Sequence, residues 1–300
     1  MSRQDHGPSS PPRRRSAYAL PSVFTTANIF CGFYAIIAAM KGYQVLPTDV
    51  AEAARLFDNA AKAIGFAVLF DSLDGSIARM TRTTSDFGIE LDSLADVLSF
   101  GIAAAVLAYT WGYGSVPEGY GPEFSKIAWA ASFLYLACGA FRLARFNVHA
   151  RRMATPSKKE RRQFVGLPIP AAAGLIAAIV HFSPMPLFVR DSLHLTVLGE
   201  TVVIGIPIVS SLFLALVCGL SLLMISTIRH RSFKDLGSGA ISARWSYLFL
   251  VLLGLGIYFY SRWVLLILAV SYATHGLALR GYNFLRFGKA EAPTIEPVTK

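Results

Sequence analysis

The sequence predicts an all-α integral membrane protein of about eight transmembrane helices. Three observations carry this. Residues of the AVILMFWYC set make up 54% of the 300 residues and charged residues only 15%, where a soluble domain carries about 25% charged residues. Mean hydropathy is +0.50. The apolar residues gather in stretches close to the roughly 20 residues that a bilayer-spanning helix needs. A chain this poor in polar surface has lipid as the solvent for much of its mass. Disorder, collagen-like repeats and a disulfide scaffold are excluded as whole-chain readings. Cys31, Cys138 and Cys218 each sit inside an apolar run and read as buried thiols.

The expected spans run in order Pro21–Met40, Ala60–Arg79, Leu91–Trp111, Ile127–Asn147, Leu167–Phe182, Thr201–Ile228, Ser246–Tyr260 and Val264–Leu279. Only Ser261, Arg262 and Trp263 separate the last two, which predicts a tight hairpin. The first stretch lacks a small-residue cleavage site and reads as a span, not a cleaved signal. The chain divides into a disordered basic tail (1–17), a membrane core (18–235), a C-terminal hairpin (236–282) and a second tail (283–300). The start, Gly7–Arg15, is rich in Pro and Arg and fits disorder.

Net charge is +10 and pI about 9.7. The basic residues lie in the tails and in alternate loops. Arg13, Arg14 and Arg15 precede the first span; Arg151, Arg152, Lys158, Lys159, Arg161 and Arg162 follow the fourth; Arg229, Arg231 and Lys234 follow the sixth. Loops of the other parity hold few. The asymmetry places both termini on the cytoplasmic side of the inner cell membrane. No basic face with interleaved aromatics exists, so nucleic acid is not an expected partner.

Charged residues inside membrane helices are costly and mark functional sites by default. Here they concentrate in one place. The second span reads Asp71-Ser-Leu-Asp74-Gly75-Ser-Ile-Ala78-Arg79, and the third reads Gly88-Ile-Glu-Leu-Asp92-Ser-Leu-Ala-Asp96. The four aspartates Asp71, Asp74, Asp92 and Asp96 fall within 26 residues. Asp71 and Asp74 are three apart, Asp92 and Asp96 four apart, so each pair shares a helix face. The short link Thr81–Phe87 makes the helices antiparallel neighbours whose faces can converge. Unpaired, these acids would repel one another and take up protons. Oxygen donors of this kind suit one or two hard divalent cations, Mg²⁺ or Mn²⁺, with Ca²⁺ as an alternative occupant, and disfavour zinc. Gly75 and Gly88 let a bulky ligand approach the backbone. Arg79 offers a fork of donors for phosphate oxygens. Metals and Arg beside glycines suit a pyrophosphate. The competing readings are a buried acid cluster held by basic neighbours, or the ion site of a cation-coupled transporter. A transporter is expected to repeat its broken helices in both halves, and no second acidic segment exists. A non-catalytic assembly protein would bind metal without turnover.

This stretch resembles the signature of the CDP-alcohol phosphotransferases, D-x2-D-G-x2-A-R-x8-G-x3-D-x3-D, at every fixed position. The resemblance implies a catalytic core of six helices over the first six spans, with two C-terminal helices beyond it, and transfer of a phosphatidyl group from a CDP-linked lipid to an alcohol, with release of CMP. It assigns Asp71, Asp74, Asp92 and Asp96 to a two-metal site and makes Asp96 also the general base. It assigns Gly75, Ala78 and Arg79 to the CDP moiety, with Asp71 and Gly88 beside it. Two metals can clamp both ends of an in-line displacement, and Asp96, one turn beyond Asp92, is placed to take the alcohol's proton.

Three further segments are similar to the membrane-embedded bacterial phosphatidylserine synthases of this superfamily. Phe24-Thr25-Thr26-Ala27-Asn28-Ile-Phe30-Cys31-Gly32-Phe33 matches their F-T-x2-N-x2-C-G-F, with Ser22 departing from a common Asn. Thr25 and Asn28 share a face and join the CDP-diacylglycerol-binding set. Arg142-Leu-Ala-Arg145-Phe146-Asn147 and Phe164-Val-Gly166-Leu167-Pro168-Ile-Pro170 match R-L-A-R-F-N and F-x-G-L-P-x-P. L-serine brings a carboxylate and an ammonium. A fixed cation at Arg142 or Arg145, with Asn147 nearby, would hold it. The ordinary roles for these arginines are topology and snorkelling. Glycerol 3-phosphate, inositol phosphate and choline are the alternative acceptors. Choline would need an aromatic cage, for which Phe133, Tyr135, Phe141 and Phe146 are the candidates. Membrane lipids and a second copy of the chain, as a homodimer, are the expected partners.

Overall fold

The structure, a computed structural model, describes residues 16–81, 86–114, 122–152, 163–189, 192–197, 200–226, 229–231 and 243–287. Helices dominate it: α1 (Ser16–Val45), α2 (Val50–Thr81), α3 (Asp86–Asp96), α4 (Ala103–Ala108), α5 (Pro122–Arg152), α6 (Ile169–Phe182), α7 (Ile206–Ile225) and α8 (Ala243–Phe287). Two π-helical segments, Val97–Ile102 and Tyr109–Tyr113, flank α4 and make residues 86–113 one continuous helical run. Four short strands, β1 (Gln163–Val165), β2 (Ser192–Val197), β3 (Glu200–Gly205) and β4 (Arg229–Arg231), form two antiparallel ribbons, β1–β4 and β2–β3.

The connection between α1 and α2 follows from local chemistry. Asp49 Oδ1 accepts the backbone N–H of Glu52 at 2.9 Å, which satisfies one orphan donor of the first turn of α2. The two helices then run antiparallel on small residues. Ala35, Ala38 and Ala39 of α1 and Ala53, Ala60 and Ala61 of α2 are all buried. Small residues let membrane helices approach closely where no hydrophobic drive acts between them. The core around them holds Phe57, Phe100, Trp111, Tyr113 and Tyr135. Each polar tip among these is satisfied. Trp111 Nε1 donates to Pro184 O at 3.2 Å. Tyr113 and Ser132 share a hydroxyl contact at 2.9 Å. Tyr135 donates to the Phe100 carbonyl, within the first π segment, at 3.2 Å. Outward-facing Phe30, Phe33, Leu69, Leu73, Trp129 and Phe133 are exposed, as a lipid-facing surface requires.

Among the described residues five helices are long and apolar enough to cross a membrane: Val23–Val45, Phe87–Tyr113, Phe124–Val148, Ile208–Ile225 and Val251–His275. The protein is thus a multi-pass membrane protein. The expected second span falls on α2, whose Asp58, Lys62, Asp71 and Asp74 lower its apolar character, and the fifth on the shorter α6.

One expected boundary is corrected. The sixth span was expected from Thr201, but α7 starts at Ile206 and the preceding residues form β3. The run Thr201-Val-Val-Ile204 is β-branched, which favours a strand over a helix. Pro207 then stands at the second position of α7, where a missing N–H costs nothing. At the other end, α8 has a single non-helical residue, Tyr260 (φ −133°, ψ 41°), one position before the expected connection of the last two spans. The expected N-terminal disorder falls on residues 1–15, outside the described residues, while Ser16 and Ala17 already belong to α1.

Candidate active site

The site is assembled by α1, α2, the 86–113 run and α5. α2 contributes Asp71 and Asp74, and α3 contributes Asp92 and Asp96. Carboxylate oxygens of Asp71, Asp92 and Asp96 all lie within 4.8 Å of one another. Asp74 belongs to the same acidic end but is engaged differently: its Oδ2 accepts a hydrogen bond from the Thr25 hydroxyl of α1. The expected convergence of two helix faces therefore holds for three acids, with the fourth tied to the first helix.

The local structure explains how α1 comes so near. A Cβ on Gly32 would stand 2.7 Å from the Ser99 Cα, so only glycine lets α1 lie against the first π segment. Ser99 Oγ donates to the Asn28 carbonyl at 2.9 Å and fixes the depth of that contact. The π segment begins at Val97, directly after Asp96; such widened turns occur frequently at functional sites. Ser99 was not among the expected site residues, because a serine in an apolar run carries no signal of its own.

Several buried polar side-chain atoms here have no hydrogen-bond partner among the described residues. Both amide atoms of Asn28, Oδ1 of Asp96 and Nε of Arg142 are in this state. Asn28 is 0% exposed, Asp96 9% and Arg142 8%. An unsatisfied buried polar group costs about 1–3 kcal/mol, more when charged. Three such groups, on α1, α3 and α5, leave buried donors and acceptors that a bound ligand, ion or water could engage. Arg142 lies within electrostatic reach of Asp96, so a buried cation stands near the acidic group.

The remaining expected residues separate into distinct roles. Arg145, one turn from Arg142, is exposed, and its Nη1 donates to the Ile225 carbonyl at the end of α7, 3.3 Å away. Asn147 Nδ2 donates to Ser93 Oγ at 2.7 Å, which ties α5 to α3 beside Asp92. Gly75 and Gly88 are half-buried on α2 and α3. The side chains of Ala78 and Arg79 lie outside the described residues. Phe133, Phe141 and Phe146 are exposed while Tyr135 is fully buried, so the four candidates for an aromatic cage do not face one locus.

The oxygen-only donor set of Asp71, Asp92 and Asp96, with an orphaned Asp96 oxygen, fits a hard divalent cation. Gly75 and Gly88, each half-buried, stand one helical turn from Asp71 and Asp92, and the buried Arg142 lies within electrostatic reach of Asp96. A family model described as CDP-alcohol phosphatidyltransferase matches residues 18–207. The chain belongs to that family. The match takes in every helix that builds the acidic cluster and ends at the start of α7. A CDP-diacylglycerol–serine O-phosphatidyltransferase of Helicobacter pylori (strain ATCC 700392 / 26695) is 35% identical over 217 residues, covering 72% of this chain and 73% of its own. One of Bacillus subtilis (strain 168) is 29% identical over 231 residues, covering 76% and 98%. An archaetidylserine synthase of Methanothermobacter thermautotrophicus is 34% identical over 165 residues, covering 54% and 58%. α8 lies beyond the family match.

Proposed function

We propose that the protein transfers the phosphatidyl group of CDP-diacylglycerol to the hydroxyl of L-serine, giving phosphatidylserine and CMP. The observation that carries this reading is the convergence of three carboxylates of Asp71, Asp92 and Asp96 opposite the buried, partly unpaired Arg142. The names of the relatives support serine as the acceptor. Divalent ions, Mg²⁺ or Mn²⁺, held by these aspartates would neutralise the diphosphate. Asp74, oriented by Thr25, joins them or the nucleotide. Arg142 holds the serine carboxylate through its bidentate fork. Asp96 takes the proton from the serine hydroxyl as that oxygen bonds to the phosphorus bearing diacylglycerol. The bond from this phosphorus to CMP breaks and CMP leaves. Gly75, Ala78, Arg79 and Gly88 lie along the nucleotide, with Asn28 supplying amide donors from α1.

The site faces the cytoplasm in this reading, because the basic loops follow the spans at that end. The last two spans, expected over residues 236–282 and described from Ala243, form a hairpin in this reading. The deciding experiment is CMP release from CDP-diacylglycerol by purified protein, with L-serine, glycerol 3-phosphate, inositol phosphate and choline in parallel arms. Serine-dependent release, abolished by EDTA and restored by Mg²⁺ or Mn²⁺, is expected. Release with another acceptor and none with serine would move the substrate and leave the family chemistry standing. Undiminished turnover after exhaustive chelation would remove the metal site.

A further inference from the structure

At the opposite end of the bundle from the acidic site, four side chains form a chain of contacts. Lys62 Nζ stands 2.7 Å from Asp58 Oδ2. The other oxygen, Asp58 Oδ1, is 2.6 Å from His181 Nδ1. His181 Nε2 is 2.9 Å from Ser261 Oγ. His181 is 6% exposed and sits in the last turn of α6, Asp58 lies near the start of α2, and Ser261 follows the break in α8. The rings of Phe182 and Trp263 meet edge to face beside it, 4.7 Å apart. Elsewhere on α8, Val251, Leu252, Leu255, Trp263 and Ile267 are exposed, and Ala273 is its one residue in the buried core among those described.

The spacing along α8 gives these contacts a consequence. Ser261 and Tyr272 are eleven residues apart on one helical segment, close to three full turns at 3.6 residues per turn. They therefore lie on one face, with Ala269 and Ala273, which also pack on the core. Tyr272 is half-buried against that core, within electrostatic reach of the Arg142 guanidinium. α6 connects the two ends. His181 stands at its far end, and Ile169 at its start touches the position of Gly139, one turn before Arg142. The face of α8 held by His181 at one end thus delivers Tyr272 to the arginine at the other.

We propose that α8 forms a wall of the acceptor site: Tyr272 is a positioning residue for Arg142, and the Asp58–His181–Ser261 contacts fasten the helix that carries it. This rests on the reading of Arg142 as the serine carboxylate's partner. It assigns a task to the helix that lies beyond the family match.

The test measures KM for serine and for CDP-diacylglycerol in Tyr272→Phe, Ser261→Ala, Ser261→Thr and Arg142→Lys, all purified in detergent. Tyr272→Phe and Ser261→Ala are expected to raise the serine KM by about two- to tenfold, the span of one net hydrogen bond, and to change kcat and the lipid KM less. Ser261→Thr keeps the hydroxyl and is expected to restore most of the loss. Serine KM unchanged in both Tyr272→Phe and Ser261→Ala overturns the proposal, as does an equal rise for both substrates. Covalent labelling of Ser261 by a fluorophosphonate would overturn it differently, by showing the contacts to be an acyl-transfer relay. If Ser261→Ala does not fold, Tyr272→Phe alone decides. If Arg142→Lys leaves serine KM unmoved, the reading of Arg142 fails; if only Arg142→Lys moves it, the reading stands and the role of α8 falls.

Discussion

Replacing Asp96 by Asn keeps the side chain's shape and removes its capacity to take a proton. Loss of a general base costs about 10²–10⁴ in rate. Asp96→Asn is therefore expected to lose kcat by that order while CDP-diacylglycerol binding, measured directly, falls less. Some loss of binding is expected because Asp96 also sits in the acidic cluster. An Asn variant turning over at wild-type speed would send the proton by another route, with Glu90 the next candidate. The two arginines give a second contrast. Arg142 is buried with an unpaired Nε, whereas Arg145 is exposed and caps α7. Arg142→Lys loses the bidentate fork and is expected to raise the serine KM well above that of Arg145→Lys, in steady-state kinetics with each substrate varied. The sequence spacing brought both arginines to one helix end and could not rank them, because the end of α7 that engages Arg145 is eighty residues away. The aspartates were legible because acids are so costly in lipid that their spacing alone is informative. Asp74 escaped the common cluster through a hydroxyl on another helix, which spacing within one helix cannot reveal.

At the level of elements, two glycines set how closely the site's walls approach. Gly166 has φ +84°, and a Cβ there would also meet the backbone oxygen of Ser226 at 3.1 Å. An L-residue in the left-handed region costs about 1–2 kcal/mol, before any displacement of α7. Gly32→Ala would force α1 away from Ser99, and overpacking of this kind costs about 1–3 kcal/mol. Both alanine variants are expected to lower the Tm in detergent, while Gly65→Ala, with nothing within 4 Å of its Cβ, is expected not to. A Gly32→Ala protein as stable as wild type would show that the α1 contact gives freely. Most helices were readable from length and hydropathy. The two π segments were not, since an extra residue in a helical turn leaves the apolar pattern nearly unchanged. β3 was hidden for the opposite reason: a β-branched apolar run reads as membrane helix until Gly205 and Pro207 mark where the helix begins.

For the whole molecule, the number of crossings turns on Tyr260. β1 pairs with β4, placing the backbone of Arg229–Arg231 beside Gln163–Val165. That strand leads through Gly166 into the start of α6, at the level of Gly139 and so close to Arg142. The chain is thus near the acidic end at β4. It is at the opposite end at Ser261, which touches His181, and it returns toward Arg142 by Tyr272. Residues 243–260 are long enough, at 1.5 Å per residue, to cover roughly 27 Å, close to the hydrocarbon thickness of a bilayer. Two opposite crossings with the reversal at Tyr260 would satisfy all three positions, and this is the expected arrangement. Eight crossings leave both tails on one side; seven would separate them. Labelling with a membrane-impermeant maleimide decides this in a background with Cys31, Cys138 and Cys218 replaced. Ser10→Cys, Ser157→Cys and Thr294→Cys are expected to react only after the inner membrane is permeabilised, and Ser115→Cys to react in intact spheroplasts. Reaction of Thr294→Cys in intact spheroplasts, with Ser10→Cys protected, would mean that Tyr260 only bends the helix and α8 crosses once.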